Sequence, residues 1–329
     1  MDVGSVLGAF GVRMSACPSR SEPRAHPAGS REPLRFGLYL PNGWVAGSVA
    51  AMVELARAAE DASWESFFIW DQLLVEDDKP VVDTQIALAA VACATSPDRL
   101  RRLGALVTPL RRRRVWKYER ELVALQELSG GRMVAGFGLG EDTDYRISTD
   151  ELDTAKARAA ALEDGLELLQ QLFTGEPVSW IRPAARSETL GRGARFSTKG
   201  FKPTPVPVPP IWLAGTIRRG TRQPTAPFRR AARYQGLFPT PHPWDEAAPL
   251  TPSEVAHAVE LTFPDRVIPE GFELVACGLT RGPRASVSVE QLATYAEVGV
   301  TTWLEAMPEH ATLDEMLGLI ASGPPTLAD

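Results

Sequence analysis

Eight short apolar runs, each followed by an amphipathic segment, constrain this chain more than any other feature. They are LRFGLYL (34–40), SFFIW (66–70), the stretches 100–107 and 133–137, PIWLA (210–214), GLFP (236–239), FELVACGLT (272–280) and TTWLEAM (301–307). Their apolar residues run on rather than alternate, which is the pattern of parallel strands covered on both faces. Helical periodicity fills the gaps at 49–63, 83–95, 115–128, 152–173, 226–234, 252–263, 289–298 and 313–322. Asp83 stands where an N-cap belongs, and Gly130-Gly131 and Gly175 stand where helices must stop. Eight strand–helix alternations in 329 residues close naturally into a (β/α)8 TIM barrel. An open doubly wound sheet is the rival with the same alternation.

Around that core the chain divides unevenly. Residues 1–34 carry Gly, Ser, Pro and Arg without a period and read as a disordered tail, or as a start codon set too far upstream. Residues 35–325 form the single expected barrel domain. Residues 176–208 lack a period and are rich in Pro and Arg, so they are expected to make an insertion loop over the C-terminal mouth.

Composition narrows the function. A net charge of −6 with scattered arginines argues against a nucleic-acid partner. The run Arg111-Arg112-Arg113-Arg114 is the exception, read either as a solvated loop or as an anion contact. There is no apolar run of membrane-spanning length, and VLGAFGV is too short for a secretory signal, so no membrane partner and a cytoplasmic location are expected. Three cysteines and four histidines without ligand spacing suit a reducing compartment and no metal.

In a barrel of this kind ligands bind at the C-terminal strand ends. Gly138-Leu139-Gly140 follows the fourth strand and Gly215-Thr216 the fifth. Backbone N–H groups and a hydroxyl there suit a phosphate, though a plain turn or a helix cap would use the same residues. Trp70 and Trp212 read as core or as stacking partners, Asp71 as a loop anchor or a ligand contact. Glu305 puts a charge at the end of the eighth strand, which makes it a mouth candidate.

Several segments together resemble the bacterial luciferase-like family of flavin- or deazaflavin-dependent oxidoreductases. They are RFGLYLPN (35–42), FFIWDQL (67–73), RLGALVTPLRRRR (102–114), LSGGRMVAGFGLG (128–140), PPIWLAGT (209–216), APFRRAARYQGLFP (226–239), YAEVGVTTWLE (295–305) and IASGPP (320–325). The resemblance implies a TIM-type barrel in which Gly138, Leu139, Gly140, Gly215 and Thr216 approach the cofactor's phosphate tail. It implies that Asn42, Trp70, Asp71 and Thr108 line the mouth near the ring. Ala105 falls in the stretch 104–107, where relatives carry a non-prolyl cis peptide behind that ring.

Asp71 and Gln72 are the catalytic candidates it points to, with a departure: relatives commonly carry histidine where Gln72 stands. Glutamine can hydrogen-bond but cannot titrate. Leu139 also replaces an arginine that pairs with phosphate in luciferase, leaving Thr216, Arg218 or Arg219 to make that contact. The activity implied is that of an FMN-dependent monooxygenase acting on a small organic substrate, with reduced FMN supplied by a separate flavin reductase. F420-dependent hydride transfer is the alternative, and a catalytically degenerate binding or partner barrel is the third reading, motivated by Gln72. By the same resemblance, pairing into a homodimer is expected through helices near the second and third strands.

Overall fold

The computed structural model describes residues 33–75, 78–141, 144, 154–184, 186, 194–245 and 247–327. Residues 1–32, most of the expected tail, lie outside them. The compact unit is Leu34–Asp329. Its barrel strands are β1 (Arg35–Leu40), β2 (Ser66–Ile69), β3 (Arg102–Pro109), β4 (Met133–Gly138), β7 (Ile211–Arg218), β8 (Gly236–His242), β9 (Glu273–Gly278) and β10 (Thr302–Ala306). A separate antiparallel hairpin, β5 (Val178–Ile181) and β6 (Arg195–Thr198), lies between β4 and β7 in sequence. The eight barrel strands are parallel and close in the order β1-β10-β9-β8-β7-β4-β3-β2. The closed barrel expected from the alternation is therefore the one formed, and the open sheet is not.

Each strand sends alternate side chains inward and outward. Phe36, Leu38 and Leu40 of β1 join the layer under the helices, while Tyr39 joins the interior cluster with Phe68, Trp70, Leu106, Trp212 and Phe238. At the N-terminal end Glu273 lies 2.6 Å from both Arg35 and Arg102, and the Thr301 hydroxyl donates to it at 2.7 Å. Burial opposes its charge, but the hydrogen bond and charge of Arg102, with Arg35, hold its pKa below the usual value. This ion-paired floor seals one end and leaves chemistry to the other.

Around the barrel run α1 (Val49–Asp61), α2 (Thr84–Ala94), α3 (Val115–Leu128), α4 (Ala155–Phe173), α5 (Ala226–Ala231), α6 (Pro252–Thr262), α7 (Gln291–Glu297) and α8 (Leu313–Ala321). Asp83 caps α2 by accepting from the Ile86 N–H, as its position predicts. Gly130 and Gly131 end α3 at φ of 68° and 90°, a region that favours glycine. Beyond them the buried Arg132 guanidinium donates to Ser129 O (2.6 Å), Leu100 O (3.0 Å) and Ala92 O (2.8 Å). It thereby satisfies carbonyls at the ends of two helices that have no helical partner. The described residues contain no helix long and apolar enough to cross a membrane.

The described part of the insertion departs from its expected place. Residues 178–181 and 195–198 form the β5–β6 hairpin, and Val178 and Trp180 cover Leu168 and Leu172 of α4 rather than the mouth. Phe196 stacks on Trp116 of α3 at 5.6 Å, and Arg120 sits 3.8 Å over the Phe201 ring. The physical reason is an apolar stripe on the outer side of α4 that needs cover. Residues 185 and 187–193 lie outside the described residues.

One buried carboxylate gives the fold a pH dependence. Glu119 of α3 is 0% exposed, neither of its oxygens is hydrogen-bonded to a described residue, and Arg120 Nη1 stands 3.8 Å away. Burial raises its pKa from 4.5 to about 7, with Arg120 opposing. The folded state thus holds a proton that the unfolded chain releases earlier, so this group's contribution falls as pH climbs from 4.5 to about 7 and is flat above. Denaturation of Glu119→Gln beside the parent should show a relative stabilisation about 2 kcal/mol larger at about pH 8 than at about pH 5. An equal difference at both pH values would mean that Glu119 ionises normally.

Candidate active site

Because β4 pairs directly with β7, with Phe137 opposite Leu213, the two glycine-bearing turns meet on one rim. β7 in turn pairs with β8, setting Thr216 opposite Thr240. Strand alternation from the inward Trp212 and Phe238 carries Ala214, Thr216 and Thr240 to the inner face at the C-terminal end. All three are partly exposed there, as are Val107, Leu139 and Gly140. The open side of the mouth therefore lies between the ends of β3, β4, β7 and β8.

Gly138 is small for a reason visible at this spot. A Cβ on it would overlap Val107 Cγ2 and stand 3.5 Å from Ala214 Cβ. Gly140 turns the chain at φ 76°, and the Arg158 guanidinium donates to its carbonyl at 3.2 Å. Neither the Thr216 nor the Thr240 hydroxyl has a hydrogen-bond partner among the described residues, so both can donate to a ligand oxygen. An anionic tail with several oxygens fits this donor set of two hydroxyls and the backbone of a left-handed turn.

The opposite side of the mouth is filled with rings. Tyr39 packs against Trp70 (5.8 Å), Phe238 (5.4 Å) and Trp244 (5.8 Å). Trp70 also meets Trp44 at 6.3 Å and Trp244 at 6.1 Å. The Tyr39 hydroxyl donates to Leu106 O at 2.6 Å, and burial raises its pKa well above the ordinary value. The Leu106–Val107 peptide is cis, within the stretch where the resemblance leads one to look for it. His310, from the turn after β10, lies edge-on to Trp44 at 5.4 Å. Trp44, Trp244 and His310 reach the mouth from three distant loops, and no sequence spacing relates them.

The other residues singled out from the sequence have specific posts. Asn42 is fully buried and spends its side chain on protein: Nδ2 donates to Gln72 O (2.9 Å) and Val82 O (3.0 Å), and Oδ1 accepts from Gln72 N (3.2 Å). It holds the β1 and β2 exits together rather than facing a ligand. Ala105 joins the outward cluster under the helices, and Thr108, 0% exposed, faces the Tyr118 hydroxyl; Leu106 and Val107 border the mouth instead. Gly215 also looks outward, where a Cβ would stand 2.8 Å from the Phe228 ring. Gln72 has a buried Oε1 without a partner among the described residues.

Asp71 and the arginine run belong together. The Asp71 carboxylate receives Arg113 Nη2 at 2.8 and 2.7 Å and lies 3.2 Å from Arg112 Nη2. Arg112 also donates to the Asp71 carbonyl, and its Nη1 donates to Asp144 at 2.8 Å. Asp144 in turn accepts from Leu73 N at 2.8 Å. Arg112 and Arg113 side chains are only 8% and 18% exposed, so the run is neither a solvated loop nor an open anion site at these positions. The sequence hides this because the partner carboxylates are distant in the chain. Arg230 similarly turns inward and pairs with Glu163 at 2.6 Å.

Glu305 points between barrel and helices rather than into the mouth. It accepts from Thr280 N and Oγ1, both at 2.7 Å, and burial raises its pKa. Arg219 is likewise occupied, held by Glu254 at 2.6 Å.

Comparison with known proteins agrees with this architecture. The family model described as luciferase-like monooxygenase matches residues 21–258. The chain is 27% identical over 215 residues to the F420-dependent hydroxymycolic acid dehydrogenase of Mycobacterium tuberculosis (strain ATCC 25618 / H37Rv). That match takes in 64% of this chain and 54% of the relative, so the chain spans about half the length of the curated protein it matches. Among solved structures, an F420-dependent secondary alcohol dehydrogenase superposes with a TM-score of 0.68 at 13% identity, covering 90% of this chain and 99% of the other. The monooxygenase RslO1 of Streptomyces bottropensis gives 0.63 at 18% identity, covering 87% and 96%. At such identities the structural likeness concerns the fold alone.

Proposed function

The chain belongs to the luciferase-like monooxygenase family, and on that premise we propose that it is an oxidoreductase that uses the deazaflavin F420 to exchange a hydride with a small organic substrate. The observation that carries the reading is the shared rim of β4 and β7, where the turn at Gly138–Gly140 and the hydroxyls of Thr216 and Thr240 converge. The preference for F420 over FMN rests on the F420-dependent sequence relative.

When bound, the deazaflavin would supply a carbon that accepts or donates hydride. The chain's own residues do the rest. Thr216, Thr240 and the Gly140 turn hold the phosphate, Gly138 and Ala214 leave room beside Val107, and the Tyr39–Trp70–Trp244 wall keeps water from the reacting side. Gln72 can orient a substrate but cannot titrate, so the proton that balances the hydride would pass to or from solvent through the open side of the mouth.

FMN-dependent monooxygenation, with a separate reductase supplying the reduced flavin, is the second reading; the same rim would hold the FMN phosphate. Spectral titration of the purified protein with F420 and with FMN, followed by oxidation of each reduced form in air and under argon, separates the readings. Tight F420 binding without oxygen-dependent turnover is the expected result. Rapid oxygen-dependent oxidation of reduced FMN would replace the proposal with the monooxygenase, and binding without turnover of either would favour a degenerate barrel.

A further inference from the structure

The loop from β7 to α5 carries Arg218, Arg219 and Arg222 with no acidic residue among them, in a chain whose net charge is −6. It begins two residues beyond Thr216, and it is built rather than loose. The Gln223 side chain bridges its base, accepting from Arg218 N at 2.8 Å and donating to Thr216 O at 2.7 Å. Arg219 fastens its outer side, donating to Glu254 at 2.6 and 3.0 Å and to Pro249 O at 2.9 Å. Gly220 makes the tip at φ 72°, with nothing within 4 Å of where a Cβ would stand. The clamps leave Arg218 and Arg222 exposed, and no carboxylate among the described residues pairs with either.

Exposed arginines ordinarily make a solvated surface. These two differ in being held by a clamped loop at the exit of the phosphate rim. A ligand that ended at its phosphate would be served by Thr216 and Thr240, while one that continued outward as an anion would meet the two guanidiniums. We propose that Arg218 and Arg222 form a docking site for an oligocarboxylate tail extending beyond the cofactor phosphate, as in F420 with its glutamyl carboxylates. This rests on the F420 reading and adds a subsite to it. FMN stops at the phosphate and gains nothing from the loop.

The test is equilibrium binding, read by cofactor fluorescence. The parent and the double variant Arg218→Gln/Arg222→Gln are titrated with three probes. These are F420 bearing several glutamates, F420 cut back to its lactyl carboxylate, and FMN. The double variant should bind the long-tailed form about tenfold more weakly at low salt, each exposed contact giving a few-fold. That difference should shrink towards nothing in roughly 0.5 M salt, where exposed charges are screened. FMN binding should not change. Equal affinity of the parent for both F420 forms, or an equal loss for FMN in the variant, overturns the tail site alone. Failure of the parent to bind either F420 form overturns the site together with the cofactor reading beneath it.

Discussion

Asp71→Ala is expected to cost about 3–5 kcal/mol of folding stability, because it leaves the buried Arg113 without its carboxylate and takes one of two from Arg112. Arg113 reaches both carboxylate oxygens at 2.8 and 2.7 Å, and Arg112 lies 3.2 Å away, with the carboxylate only 3% exposed. Arg112 keeps Asp144, whereas Arg113 has little else: Glu121 stands 3.9 Å from it, at a more exposed position. The Asp71–Arg112–Asp144 chain ties the exits of β2 and β3 to Asp144 beyond β4, so its loss should loosen the loops that frame the mouth. Urea denaturation of Asp71→Ala and Asp71→Asn, alongside turnover, is the measurement. Unchanged stability in both variants with abolished turnover would make Asp71 a chemical group instead of an anchor.

Thr216→Val/Thr240→Val should weaken cofactor binding by about 100-fold or more, since each hydroxyl-to-phosphate bond is worth about 1.5–3 kcal/mol. The substitutions keep shape and β-branching, and neither hydroxyl serves the protein itself among the described residues, so the fold should survive. Thermal unfolding without cofactor checks that point, and spectral titration with F420 and FMN reads the affinity. Parent-like affinity for both cofactors in a folded double variant would remove this rim from the phosphate site.

Much of the architecture was legible because it depends on local pattern. Continuous apolar runs with intervening 3.6-residue periodicity mark each strand and helix, and Gly130, Gly131 and Gly175 mark stops that require positive φ. The hairpin within 176–208 was not legible: its strands are four residues long, and only alternate residues of β5 are buried. Four residues are too few to establish a period of two.

The site divides along the same line. The order of strands and the turns at 138–140 and 215–216 follow from the sequence itself, because parallel βα units send every loop after a strand to one end. Only the tertiary structure decided which way each side chain points there. It turned Ala105, Thr108, Gly215 and Glu305 toward the helices, and used Asn42 and Asp71 as loop anchors. It also gathered Trp44, Trp244 and His310 at the mouth from loops far apart in the chain. Periodicity is a property of neighbours along the chain, whereas an ion pair or a ring contact depends on barrel closure, register and rotamer, which no local run of residues encodes.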